Sequence, residues 1–166
     1  AAAAATGDWL VFVDADSHPP TALFADTADA IASGRVLAGG SVVRMERAGW
    51  FGDGLVAGWN LRSRVTRWAA GAFIFVDAAA FRAVGGFSQR LYASEEIDLF
   101  RRLKREARRE RRRVVILRRH PIQTSGRKMR LYSFREIAAF MMRTVLTGGR
   151  TLRRAEDCFV WYDGRR

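Results

Sequence analysis

Apolar residues along the chain fall into short unbroken runs and longer periodic stretches, and the two kinds alternate. Asp8–Val13 (DWLVFV), Val36–Met45, Trp68–Val76 and Val114–Leu117 are brief and rich in Val, Ile, Leu and Phe, which predicts four buried strands. Thr21–Ala32 sets Leu23, Ala30 and Ile31 on one side, follows Pro19-Pro20 and stops at Gly34, as a helix does. Further helices are expected over Phe51–Arg64, from a capping Asp77 through Val84, and from Ser94 to about Arg109. Gly85-Gly86 closes the second of these. His120 to Arg130 reads as a polar loop, and Tyr132–Leu146 as a last helix ahead of Gly148-Gly149. Strands alternating with helices predict an α/β protein whose sheet is mostly parallel and flanked by helices.

Composition narrows the class. The chain has 166 residues, 49% of them apolar and 28% charged, enough for one domain with its own core. Cys158 is the single cysteine, so no internal disulfide forms and a reducing, cytoplasmic setting is the default. No apolar run approaches the roughly 18 residues that a membrane span needs. The net charge of +12 rests on 27 arginines and two lysines, eight of the arginines lying within Arg101–Arg113. Such a balance favours an anionic partner such as a nucleotide or a phospholipid surface. The arginines are scattered and carry no reader motif, so nucleic acid is not the expected partner. Ala1–Ala5 reads as the last turn of a helix, which makes a fragment of a longer protein the expectation.

Two acidic clusters could do chemistry. Asp14 and Asp16 follow the first apolar run, where α/β sheets bind ligands. On an extended segment alternate side chains point the same way, so both carboxylates can meet one Mg²⁺ or Mn²⁺ ion. A pair of turn aspartates before Pro-Pro is the bland alternative. The second cluster is Ser94-Glu95-Glu96-Ile97-Asp98. Counting about 100° per residue from Glu95 puts Glu96 at roughly 100° and Asp98 at roughly 300°. Leu99, Phe100, Leu103 and Ala107 then fall between roughly 40° and 140°, so Glu96 sits on the apolar stripe. There it would line a cleft with its pKa pulled both ways, by burial and by the helix terminus. Glu95 and Asp98 fit orienting or structural roles better. Gly71 allows a ligand close to the backbone. His120 is a candidate third metal ligand, and Arg127 and Lys128 beside Gly126 could meet a diphosphate.

Taken in order, LVFVDADS (Leu10–Ser17), WAAGAFIFVDAAAFRAVGGF (Trp68–Phe87), SEEIDLFRRLKR (Ser94–Arg105), SGRKMRLYS (Ser125–Ser133) and WYDGRR (Trp161–Arg166) resemble the family 2 glycosyltransferases of the GT-A fold. That resemblance implies a Rossmann-like fold whose first, nucleotide-binding part would precede this chain, so these 166 residues alone are expected to be inactive or poorly folded. Residues 1–130 would hold the metal and the acceptor, and residues 131–166 would form an amphipathic helix and tail. It further implies inverting transfer of a sugar from a nucleoside diphosphate sugar to a hydroxyl of a sugar, a lipid-linked acceptor or a small molecule, as in bacterial envelope polysaccharide synthesis. Asp16 would ligate Mn²⁺ or Mg²⁺, Asp14 would contact the ribose or a metal-bound water, and Glu96, where the family usually has Asp, would be the base, with Asp98 as the alternative. Peripheral contact with the inner face of an anionic membrane, through Tyr132–Leu146, is compatible with this activity. A haloacid dehalogenase-type phosphatase, with Asp14 as nucleophile, and a non-enzymatic basic module for membrane or nucleic acid are the competing readings.

Overall fold

The computed structural model describes residues 2–46 and 49–126, together with a few positions between 135 and 147. After a short 3₁₀ turn at Ala2–Ala4 come β1 (Trp9–Val13), β2 (Ser17–His18), α1 (Thr21–Ala32) and β3 (Val36–Glu46). They are followed by α2 (Gly49–Thr66), β4 (Phe73–Asp77), α3 (Ala78–Ala83), α4 (Glu95–Arg109) and β5 (Arg113–Ser125). The expected helix Tyr132–Leu146, the tail and the pair Arg127 and Lys128 lie outside the residues whose structure is described.

The sheet runs β1-β4-β3-β5-β2. Only β3 and β5 pair in parallel; β1 with β4, β4 with β3, and β2 with β5 are antiparallel. The expectation of a mostly parallel, Rossmann-like sheet is therefore wrong, and the fold is a mixed, mainly antiparallel one. The cause lies in α2. A crossover helix that returns the chain to the start of a strand makes the next strand parallel. Here α2 stays beside the second half of β3. Asn60 donates to the Val43 carbonyl and accepts from the Val43 N–H, and Ala69 packs on Gly40. The chain re-enters the sheet at Phe73, level with the strand's middle, and has to run backwards.

β1 and β2 stand at opposite ends of this order, yet only Asp14, Ala15 and Asp16 join them. A linker that short reaches about 15 Å at most, so the sheet curls until its ends meet at this turn. The Asp14 N–H reaches the Ala72 carbonyl before β4, while the Asp16 carbonyl accepts from Ser125 at the end of β5. Two glycines permit the tight layers above β3. A Cβ on Gly40 would lie 2.4 Å from the Ala69 Cβ and 2.7 Å from the Phe73 carbonyl, and one on Gly39 would lie 2.4 Å from the Phe75 ring.

Strand alternation divides the core. Ile74 and Val76 point to one face, with Leu10, Phe81, Leu99, Phe100 and Leu103 from β1, α3 and α4. Phe73 and Phe75 point to the other, with Leu23, Val43 and Ile122 and with Trp59 of α2. β5 continues through the segment expected to be a loop. Pro121 is tolerated because the β3–β5 register slips between Ser41 and Val43, where a missing N–H breaks no ladder bond.

Candidate active site

β1, β3 and β5 run in one direction, so Val13, Glu46 and Ser125 mark the same end of the sheet. At this end a cavity of about 360 Å³ opens between β1, the loop before β4 and the start of α4. Val11, Phe12, Val13, Ile74 and Phe87 form its apolar walls. Asp14, Glu95 and Glu96 supply three carboxylates, Gly71 completes the rim, and no basic side chain among the described residues lines it. In a chain of net charge +12 that is a marked segregation.

Each wall has a local origin. Phe12 points inward from β1 and packs its ring on Phe87 at 5.1 Å and on Phe81 at 5.3 Å. Phe87 is delivered by Gly85 and Gly86, both with positive φ, which end α3 in a reversal. Gly71 lies beside the aspartate, where a Cβ would sit 3.8 Å from the Asp14 carboxylate, an ordinary contact distance.

Glu96 stands where the helical angle put it. Leu99, Phe100, Leu103 and Ala107 are all buried, and Glu96 continues their stripe to the cavity. Its carboxyl is raised to about 7: burial pushes it up, its own N–H opposes that, and the neighbouring charges of Glu95 and Asp14 add to the rise. The influence of Asp14 is informative, because 82 positions separate the two residues in the chain and folding brings their charges within range of each other.

The other candidates divide. Asp98 does not line the cavity; its Oδ2 takes the Arg102 guanidinium at 2.7 Å, and Arg102 also donates to the Val84 carbonyl, tying α4 to the end of α3. Asp14 and Asp16 are not on an extended segment: the Ser17 N–H bonds the Asp14 carbonyl at 3.0 Å, closing a turn, and only Asp14 lines the cavity. His120 pairs through Nδ1 with Asp26 Oδ2 of α1 at 2.9 Å. Among the described residues no group of three or more His, Cys, Asp or Glu side chains is placed to hold a metal. Of the two aspartates on this turn only Asp14 reaches the cavity, so a divalent cation there would take most of its shell from substrate phosphate and water and not from a cage of protein ligands. Glu95 is the cavity-lining acid that the helical pattern alone does not single out. It stands about 100° from the apolar stripe's centre, and only the fold of the preceding loop makes that direction part of the cavity.

No family model matches the chain, and neither a curated protein nor a solved structure is found similar to it. No helix among the described residues is long and apolar enough to cross a membrane.

Proposed function

We propose that the chain transfers a sugar from a nucleoside diphosphate sugar to an acceptor hydroxyl with inversion, and that Glu96 is the base. The observation behind this reading is that Asp14 and Glu96 face one cavity with apolar walls and, among the described residues, no cationic lining. A carboxylate near 7 is half ionised at neutral pH, which suits abstraction of a hydroxyl proton. Glu96 would take that proton as the acceptor oxygen bonds to the anomeric carbon, and the bond from that carbon to the diphosphate oxygen breaks on the opposite face. Phe12 and Phe87 offer flat apolar surfaces to a sugar ring and keep water from the reacting carbon. Mn²⁺ or Mg²⁺ bound at Asp14, the one aspartate of the turn that lines the cavity, would offset the charge that collects on the departing diphosphate. The proposed setting is the cytoplasm, in keeping with the single cysteine.

The test is turnover of nucleoside diphosphate sugars, with and without Mn²⁺, by the full-length protein that carries this chain, as wild type and with Glu96→Gln or Asp14→Asn. Glu96→Gln should lower kcat by about 10²–10⁴ and abolish the fall in rate on the acid side of about pH 7. Asp14→Asn should weaken the response to Mn²⁺. Wild-type turnover by Glu96→Gln would overturn the assignment, and a phosphoryl group trapped on Asp14 would replace it with phosphatase chemistry.

A further inference from the structure

Helix α2 is apolar on two opposite sides, and only one of them is covered. Gly52 and Ser63 are buried and Trp59 packs toward the sheet. About half a turn away, Trp50, Leu61 and Val65 are 88%, 57% and 76% exposed and fall within a strip about 60° wide. The positions between them on or beside that strip are Gly54, Ala57 and Gly58, all exposed and too small to interrupt a flat contact. Isolated apolar residues on a surface need no explanation, but three large ones aligned on one helix do.

The surroundings select the occupant. One side of the strip is flanked by Arg64 near the Val65 end and by the exposed Asp53 near the Trp50 end, and the arginines outnumber this one acid around the strip. On the other, Arg62 of α2 and Arg101 of α4 both stack on the Trp68 ring, each with its guanidinium carbon 5.0 Å from the ring centre. No carboxylate among the described residues forms a salt bridge with any of these three arginines. A second copy of the chain would set the same cations against one another, on top of a net charge of +12 on each partner. An anionic bilayer complements both features, since acyl chains receive the strip and headgroup phosphates receive the arginines. Trp50 at the end of the strip suits the depth that tryptophan prefers at a membrane surface.

We infer that α2 is a membrane-surface helix that seats Trp50, Leu61 and Val65 in the headgroup region of an anionic leaflet. This contact is separate from the sugar-transfer chemistry, and its failure would leave that reading standing. The test is co-sedimentation of the whole chain with phosphatidylcholine vesicles, either pure or containing about a third phosphatidylglycerol, at low and high salt. The wild type should pellet with the anionic vesicles at low salt and lose most of that binding at high salt. Leu61→Glu with Val65→Glu should weaken binding at least about tenfold with an unchanged circular dichroism melt and unchanged donor turnover. Brominated lipid should quench fluorescence in the wild type more than in Trp50→Phe. Equal pelleting of wild type and double variant, or no bromine-sensitive signal from Trp50, would overturn the inference. A concentration-dependent dimer in light scattering, lost in the double variant, would hand the strip to a second copy instead.

Discussion

Two helix starts in this protein each hold a partly buried carboxylate, and the two behave in opposite ways. At α3, Asp77 is the N-cap and accepts from the Ala79 and Ala80 N–H groups at 3.0 Å each. Arg112 adds a 3.0 Å ion pair from the strand side and also donates to the Val36 carbonyl. Burial alone would raise the Asp77 carboxyl, but the Ala80 N–H, Arg112 and the Ala79 N–H together hold it below the ordinary carboxylate range. At α4, Ser94 takes a left-handed backbone with φ 61 and makes no side-chain cap bond, and no arginine among the described residues lines the cavity beside Glu96. Its carboxyl moves the other way, to about 7. Burial works against the charge of both, far more strongly at Glu96; Asp77 has Arg112 and two N–H donors to overcome it, whereas Glu96 has only its own N–H, so one carboxylate becomes a fastener and the other holds its proton to near neutral pH. A surplus of arginine makes the second environment the unusual one.

The contrast breaks first at Asp77. Asp77→Ala removes a cap and one of the two carboxylates on Arg112, which keeps Glu110 at 3.1 Å, and should cost about 1–2 kcal/mol in urea unfolding with turnover per folded molecule unchanged. Because the folded pKa of Asp77 is depressed, this stability is whole above about 3.8 and is lost as pH falls through the lower native value. The variant should therefore show a flatter acid limb. A loss of activity as large as that of Glu96→Gln would erase the distinction between the two helix starts.

Glu96→Gln should do the reverse to stability. The folded carboxyl titrates near 7 against 4.5 in the unfolded chain, so the native state binds the proton more tightly and loses stability as pH rises between these values. Thermal melts should match the wild type at pH 4 and exceed it at pH 8 by up to about 3 kcal/mol, because a gap of one between folded and unfolded pKa is worth about 1.4 kcal/mol. Equal melts at both values would mean that Glu96 is no more buried than a surface acid. The smallest effect is expected at Ser94. Ser94→Gly relieves a left-handed backbone without removing a cap bond and should add about 0.5–1 kcal/mol.

Much of the local architecture is legible in the sequence. Asp77 as a cap, Gly34 and Gly85 as stops, the span of α1 and the end of α4 at Arg109 all follow from signals within a few residues of each boundary. The inward place of Glu96 follows too, since a helix of fixed period carries its apolar stripe to its own first turn. β5 runs on to Ser125 instead of stopping at Leu117, because Pro121 looks like a terminator unless the register slip on β3 is known. The role of Asp98 is hidden for a similar reason: its spacing to Arg102 is visible, but not that the cavity lies on the other flank of the helix. His120 goes to Asp26, 94 positions away, a partner that no local pattern points to.

By itself, then, the order of residues determined where chain segments turn into helix or strand and which face of each is apolar, because hydrogen bonds and side-chain periodicity act over one or two turns. Strand direction, the curl that brings β1 and β2 together at Asp14, and the shared cavity of Asp14 and Glu96 belong to the tertiary structure. Those depend on contacts across the sheet, such as Ala69 on Gly40, whose free energy exists only after distant segments have already met.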